Sequence, residues 1–201
     1  MNNYFRLKIL TKLITTIAIW FIAPPLKSEP SLKIDYKFYD VHPVEPQELY
    51  REMHQQSPII YNGKKFVGFT NWRVTWKYSW QTRNEQCQIK TVSTDLQVVY
   101  TMPRIHSSHS VTPQVRQKFD RYYADLLQHE KGHKDSGLYA AREIEQSLLN
   151  MQPLKNCKRL SQSANYRAEQ IIKKYNQRDL NYDRLTEHGK LQNVNLDSLA
   201  K

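Results

Sequence analysis

The run His129-Glu130-Lys131-Gly132-His133 constrains this chain more than any other feature, because it lies inside a long stretch of helical periodicity. Two histidines four residues apart stand one above the other on the same helix face. Their imidazoles can reach one metal ion, with Glu130 beside it as a general base, the H-E-x-x-H arrangement that metal-assisted hydrolysis uses. Zn2+ is the expected occupant, because neutral imidazole suits it and its tetrahedral shell leaves a position for water. The competing reading is a solvated, charged helix face, since Lys131, Lys134 and Asp135 sit alongside.

Periodicity places the motif in a fold. Residues 31 to 41 alternate as a first strand, and a short helix from about Glu48 to Gln56 follows Pro46. Trp72, Val74, Trp76, Tyr78 and Trp80 then share one face of the clearest strand. Val92, Thr94, Leu96, Val98, Tyr100 and Met102 repeat the alternation up to Pro103, which is expected to stop the strand. These two strands, joined near Thr82 to Gln86, are expected to be antiparallel neighbours. The tryptophan stripe is expected to be core under a helix, with a sugar-binding platform as the alternative. Beyond Pro113, Val115, Phe119, Tyr122, Leu126, His133, Ala140, Ile144 and Leu148 recur at helical spacing, until Pro153 ends the pattern. A second helix runs from about Leu160 to Asn176, and the polar tail after Asp179 has no clear period. The predicted class is α+β, a small antiparallel sheet followed by a long zinc-motif helix and a second packed helix, zincin-like in arrangement.

The ends and the cysteines set the compartment. Arg6, Lys8 and Lys12 precede the apolar run Leu13 to Ala23, which is short for a membrane span and is followed by Pro24, Pro25 and Pro30. Residues 1–30 therefore read as a signal peptide or short N-terminal anchor, 31–192 as one domain, and 193–201 as a polar tail. Export makes the protein periplasmic or extracellular, and an uncleaved leader would hold it at a membrane. In an oxidising compartment Cys87 and Cys157 are expected to form one structural disulfide, closing a loop of about 70 residues. Thirty Lys and Arg against 19 Asp and Glu give a net charge of +11, four of those cations lying in residues 1–30. Outside the cytoplasm such a surface meets lipid headgroups, cell-wall polymers or acidic proteins, not nucleic acid. No heptad seam appears, so the sequence leaves the oligomeric state open.

Two histidines do not hold a catalytic zinc, so a third protein ligand must come from elsewhere. The elongated motif with a third histidine fails at Ser136 and Tyr139. Glu143 and Glu145 lie about 15 Å or more along the same helix from His133. Glu169 on the next helix is geometrically open, His42, His54, His106 and His109 stand in polar contexts upstream, and His188-Gly189 can fold back from a terminal loop.

Four blocks carry a family resemblance: Thr70-Asn71-Trp72-Arg73-Val74-Thr75-Trp76-Lys77-Tyr78, Val99-Tyr100-Thr101-Met102-Pro103, His129 to Asp135, and Tyr182-Asp183-x-x-Thr186-x-His188-Gly189. In this order they resemble the bacterial family catalogued as domain of unknown function 922, described as predicted secreted zinc-dependent proteases. The resemblance runs from about Lys33 to Gln192. It implies a secreted metallopeptidase-like domain whose second cysteine follows the zinc helix, as Cys157 does, and it makes His188 the third metal ligand beside His129 and His133. Two positions depart from the pattern: Ile105, where relatives often have tryptophan, and the loosely matching end Gly189 to Asn193. Zinc chemistry then assigns Glu130 as general base. Tyr182 becomes a candidate oxyanion donor or a packed tyrosine, and Asp183 a carboxylate that orients a ligand histidine. The expected function is a hydrolase of peptide bonds, acting on protein or cell-wall peptide. A non-catalytic zinc-stabilised envelope protein and an envelope polymer-binding module are the alternatives.

Overall fold

A computed structural model describes residues 29–195. Strands β4 (Phe69–Arg83) and β5 (Gln86–Ile105) form the expected antiparallel pair, with Trp72 opposite Val98, Val74 opposite Leu96 and Trp76 opposite Thr94. Asn84 and Glu85 close the hairpin with φ of 50° and 58°. Two consecutive left-handed residues are the signature of a type I′ turn, whose twist matches that of its strands. The first strand, β1 (Ser31–Val41), adds to the other side of β5 in parallel, with Ile34 beside Val98 and Tyr36 beside Tyr100. The sheet order is β1-β5-β4, so the sheet is mixed rather than antiparallel throughout. Parallel neighbours need a long crossover, and residues 42–85 supply one. It contains helix α1 (Leu49–Gln56), the small hairpin β2 (Ile60–Tyr61) and β3 (Lys64–Lys65), and β4 itself.

Pro103 does not stop β5, which continues to Ile105 beside β1. By then β4 has ended, Phe69 being opposite Thr101, and a strand that has lost one neighbour tolerates a residue without an N–H.

Helix α2 (Pro113–Leu149) starts where Thr112 accepts a bond from the Val115 amide and Pro113 occupies the first turn. It lies across β5 and β4 and buries Val115, Phe119, Tyr122, Leu126, Ala140 and Ile144 against Leu96, Val98, Tyr100 and Met102. Gly137 permits the close approach, because a Cβ there would come 2.9 Å from the Leu96 side chain and 3.0 Å from the Trp72 ring. Glu145, buried in the same layer, is satisfied by the amide and hydroxyl of Thr94 at 2.9 and 2.8 Å.

Helix α3 (Cys157–Thr186) is ten residues longer at its C-terminal end than its apolar pattern predicts. The extension is polar because its inward residues face buried imidazoles, not core. Together α2 and α3 form an antiparallel pair with regular rungs: Ser147 to Arg167, Glu143 to Lys174 and Tyr175, His133 to Asp179 and Asp183. Helix α3 also covers the aromatic stripe, for the Trp76 indole donates to Asn165 and the Tyr78 hydroxyl meets Ser161, whereas Trp80 stays exposed. Trp72, Trp76 and Tyr78 are thus a wall beneath helices. The fold is α+β.

The expected leader lies outside the described residues except Glu29 and Pro30, as does the tail from residue 196. Among the described residues no helix is long and apolar enough to cross a membrane.

Cys87 and Cys157 are joined, with Cα atoms 5.3 Å apart and a sequence separation of 70. The bridge ties the start of β5 to the first residue of α3, and Cys87 and Leu154 exchange backbone bonds beside it. Loop closure on this scale is worth about 4 kcal/mol in the chain-entropy account. Replacing both cysteines by serine should lower unfolding free energy by roughly that amount, measured as a shift of the urea midpoint.

Candidate metal centre

The middle of α2 faces β4 on one side and the end of α3 on the other. His129, Glu130 and His133 are 4%, 3% and 9% exposed there, a depth at which polar groups need partners. The two imidazoles present their Nε2 atoms to the same oxygen. Nε2 of His129 is 3.2 Å and Nε2 of His133 is 3.1 Å from Oδ1 of Asp183. Each ring also has an acceptor behind it. Nδ1 of His129 lies 2.8 Å from the Gln192 side-chain oxygen, and Nδ1 of His133 lies 3.5 Å from Oδ1 of Asp179. Asp179 is held in turn by the Trp72 indole, which donates to its Oδ2 at 2.5 Å.

This donor set fits a metal ion. With Nδ1–H directed at Gln192 and Asp179, both Nε2 lone pairs point at a carboxylate oxygen, so three acceptors converge and a cation or proton must lie among them. His129, His133 and Asp183 bring their ligand atoms within 4.8 Å of one another. Separations of 3.1 and 3.2 Å approach the roughly 3.3 Å edge of a tetrahedron with zinc–nitrogen bonds of about 2.0–2.1 Å. Oδ1 of Asp179, buried and without a hydrogen bond among the described residues, faces the same ring as a carboxylate that orients a metal-bound histidine would. Electrostatics agree. Burial alone would depress the His133 pKa, but the carboxylates of Asp179 and Asp183 facing its ring and the charge of Glu130 outweigh it and raise it to about 10. Asp183 is held below the usual carboxylate range, its own burial being outweighed by the two histidines.

Glu130 sits on the β4 side of the group. The Thr70 hydroxyl donates to its Oε2 at 2.6 Å, and Gly68 leaves the space its other oxygen occupies, since a Cβ there would come 2.8 Å from Oε1. Burial raises the Glu130 pKa above the ordinary value, against the pull of His133, Thr70 and His129. The group opens into a cleft of about 850 Å³ whose outer walls include Tyr50, Tyr61, Phe66 and Phe69.

The structure distributes the sequence-predicted residues as follows. His129, Glu130 and His133 are together. Asp183, expected behind a ligand, stands in front of both histidines, and Asp179 takes the place behind. His188, expected as third ligand, lies outside the three-residue group at the cleft wall. Its Nδ1 is 3.6 Å from Asp183 Oδ2, and its half-exposed ring rests on Phe66. Tyr182 stacks on His129 at 5.0 Å, and its hydroxyl donates toward the His129 carbonyl and Gln192, at 3.2 and 3.1 Å. It is therefore a packed residue that positions His129, not a donor directed into the cleft. Gly132 makes room for it, because a Cβ at that position would overlap the phenol. Glu169 is exposed on α3 and lines neither the three-residue group nor the cleft. Sequence reasoning missed Asp179, Thr70 and Gln192. The spacing Asp179, Tyr182, Asp183 does place all three on one helix face, and that signal was legible.

The chain matches, over residues 36–189, a family described as bacterial protein of unknown function, DUF922. It belongs to that family. No curated protein matches this chain, and no solved structure does. All of the residues gathered at the centre except Gln192 fall within the matched span.

Removing a partner behind a metal-ligating histidine typically weakens the site by about 10–100-fold. Asp179→Ala should do so here, as read by competition with a chromogenic zinc chelator, with circular dichroism confirming that the variant is folded.

Proposed function

We propose that this protein is a zinc-dependent peptidase working in the periplasm or outside the cell. The observation that carries the reading is the convergence of two imidazoles and a carboxylate beside a buried glutamate at the base of an open cleft. His129, His133 and Asp183 would hold the ion. When bound, zinc acidifies water toward a pKa of about 7 and polarises a carbonyl oxygen. Glu130 accepts the proton of the attacking water and returns it to the leaving amine. Its Oε2 is occupied by Thr70, so Oε1 is the oxygen available for that transfer. A raised pKa brings the carboxylate closer to the range in which a general base works near neutrality. Gln192 and Asp179 hold the two rings in the tautomer whose Nε2 is free, and Tyr182 fixes the plane of His129.

The substrate is a peptide or protein, cell-wall peptide included, and the aromatic walls of the cleft offer apolar contact to its side chains. Nucleic acid is not a partner in this reading. The disulfide and the apolar leader support export. One observation favours a second reading, a metal-stabilised protein without turnover: Gly189 and Gln192 both lie against His129, so an ion there would also fasten the chain's end to α2. A polymer-binding role for the tryptophan stripe has less support, because Trp72 and Trp76 are engaged by α3.

Elemental analysis of the untagged protein should give about one zinc per chain. Asp183→Ala should lose it and His188→Ala retain it. The reverse pattern would assign the third position to His188. Glu130→Gln should keep the metal and lower peptide hydrolysis by about 10²–10⁴-fold. Full activity in that variant would sink the peptidase reading, and inactivity of the zinc-loaded wild type on a broad peptide library would favour the structural one.

A further inference from the structure

Strand β1 is one edge of the sheet, and its alternate residues are of opposite character. Leu32, Ile34, Tyr36 and Phe38 share the face that carries the core residues Leu96, Val98, Tyr100 and Met102 of β5. Helix α2 packs mainly on β5 and β4 and makes at most slight contact with β1. These four side chains are therefore 41–44% exposed, forming a continuous apolar shelf, with Tyr36 and Phe38 stacked 5.7 Å apart. A contiguous exposed row of this kind marks an interaction surface. The other face presents Lys33, Asp35 and Lys37. Natural edges are commonly blunted by repeated lysine, but here an aspartate between the two lysines makes the edge complementary to itself.

We propose that β1 pairs antiparallel with β1 of a second copy of this chain about a two-fold axis at Ile34, joining two three-stranded sheets into one. In this register Ile34 faces Ile34, Leu32 faces Tyr36, and Lys33 of each copy faces Asp35 of the other. The shelves merge on one side of the sheet while two opposite-charge pairs form on the other. Centring the axis on Asp35 would instead oppose the two aspartates and set Lys33 against Lys37, and like charges directly opposite are destabilising. Pro30 ends the paired segment opposite Phe38, where the missing N–H terminates the ladder. The isologous contact closes on itself and gives a dimer, not a filament. It lies on the edge opposite β4, which borders the metal centre, so it is independent of the catalytic reading.

Sedimentation equilibrium of the protein purified from cells expressing the full sequence tests this. The wild type should associate to a dimer. Asp35→Lys, which sets lysine against lysine twice, should weaken association roughly tenfold or more. The double variant Lys33→Asp with Asp35→Lys should restore it, because each new aspartate again faces a lysine. All three should bind zinc equally. A wild type that stays monomeric overturns the proposal. Equal association by the wild type and Asp35→Lys overturns it too. Failure of the double variant to recover excludes this register and with it the proposal.

Discussion

Everything at the centre of this protein follows from burying two imidazoles and a carboxylate in the middle of a 37-residue helix. Unpaired polar groups at that depth cost several kcal/mol each. The neighbouring elements are arranged to prevent it. β4 supplies Thr70 to Glu130, α3 supplies Asp179 and Asp183 to the histidines, and the chain's end supplies Gln192. Trp72 links these two walls, being a residue of β4 whose indole holds a carboxylate of α3. The site is thus also a joint between sheet, helix pair and terminus, and changes in its polar groups are felt in the packing.

Close approach is the second requirement, and glycine meets it at the points where it matters. Gly132 lets the Tyr182 phenol lie directly on α2, which brings Asp183, the next residue, in front of the imidazoles. After α3, the chain turns sharply through Glu187, His188 and Gly189, all with positive φ. This is how helix α3 ends and how Gln192 is carried back over His129. The left-handed path costs conformational energy at the two non-glycine residues, and bonds from the Glu187 and His188 amides to carbonyls of the last helical turn help hold it.

Rigid elements carry nearly all of these groups, as a site with narrow geometric tolerance needs. The antiparallel pairing of α2 with α3 sets which residues meet. The disulfide fixes the start of α3 against β5, at the far end of the helix from the site. Between bridge and site, Ala164 and Ala168 pack at close range, and Glu143 with Lys174 and Tyr175 adds a half-exposed rung of modest worth. A shift of α3 by one turn, about 5.4 Å, would carry Asp183 away from both histidines.

Local pattern determined much of this molecule. Period-two alternation sufficed for β4 and β5, because each side chain's face follows from the pleat. Helical spacing sufficed for α2 and placed His129 and His133 at the border of its buried face. The parallel placement of β1 was not legible, since alternation says which face is apolar and not which neighbour a strand finds. The end of α3 was hidden because its inward residues are polar, and a search for apolar periodicity reads such a segment as tail. Asp183 in front of the histidines and Asp179 behind one of them depended on the rotation of α3 about its axis. That rotation is set by how its whole face packs on α2 and β4, a sum of many contacts distant in sequence. The sequence by itself determined which residues could bind a metal; tertiary packing decided which of them meet, because ligands come together through distances that no local spacing encodes.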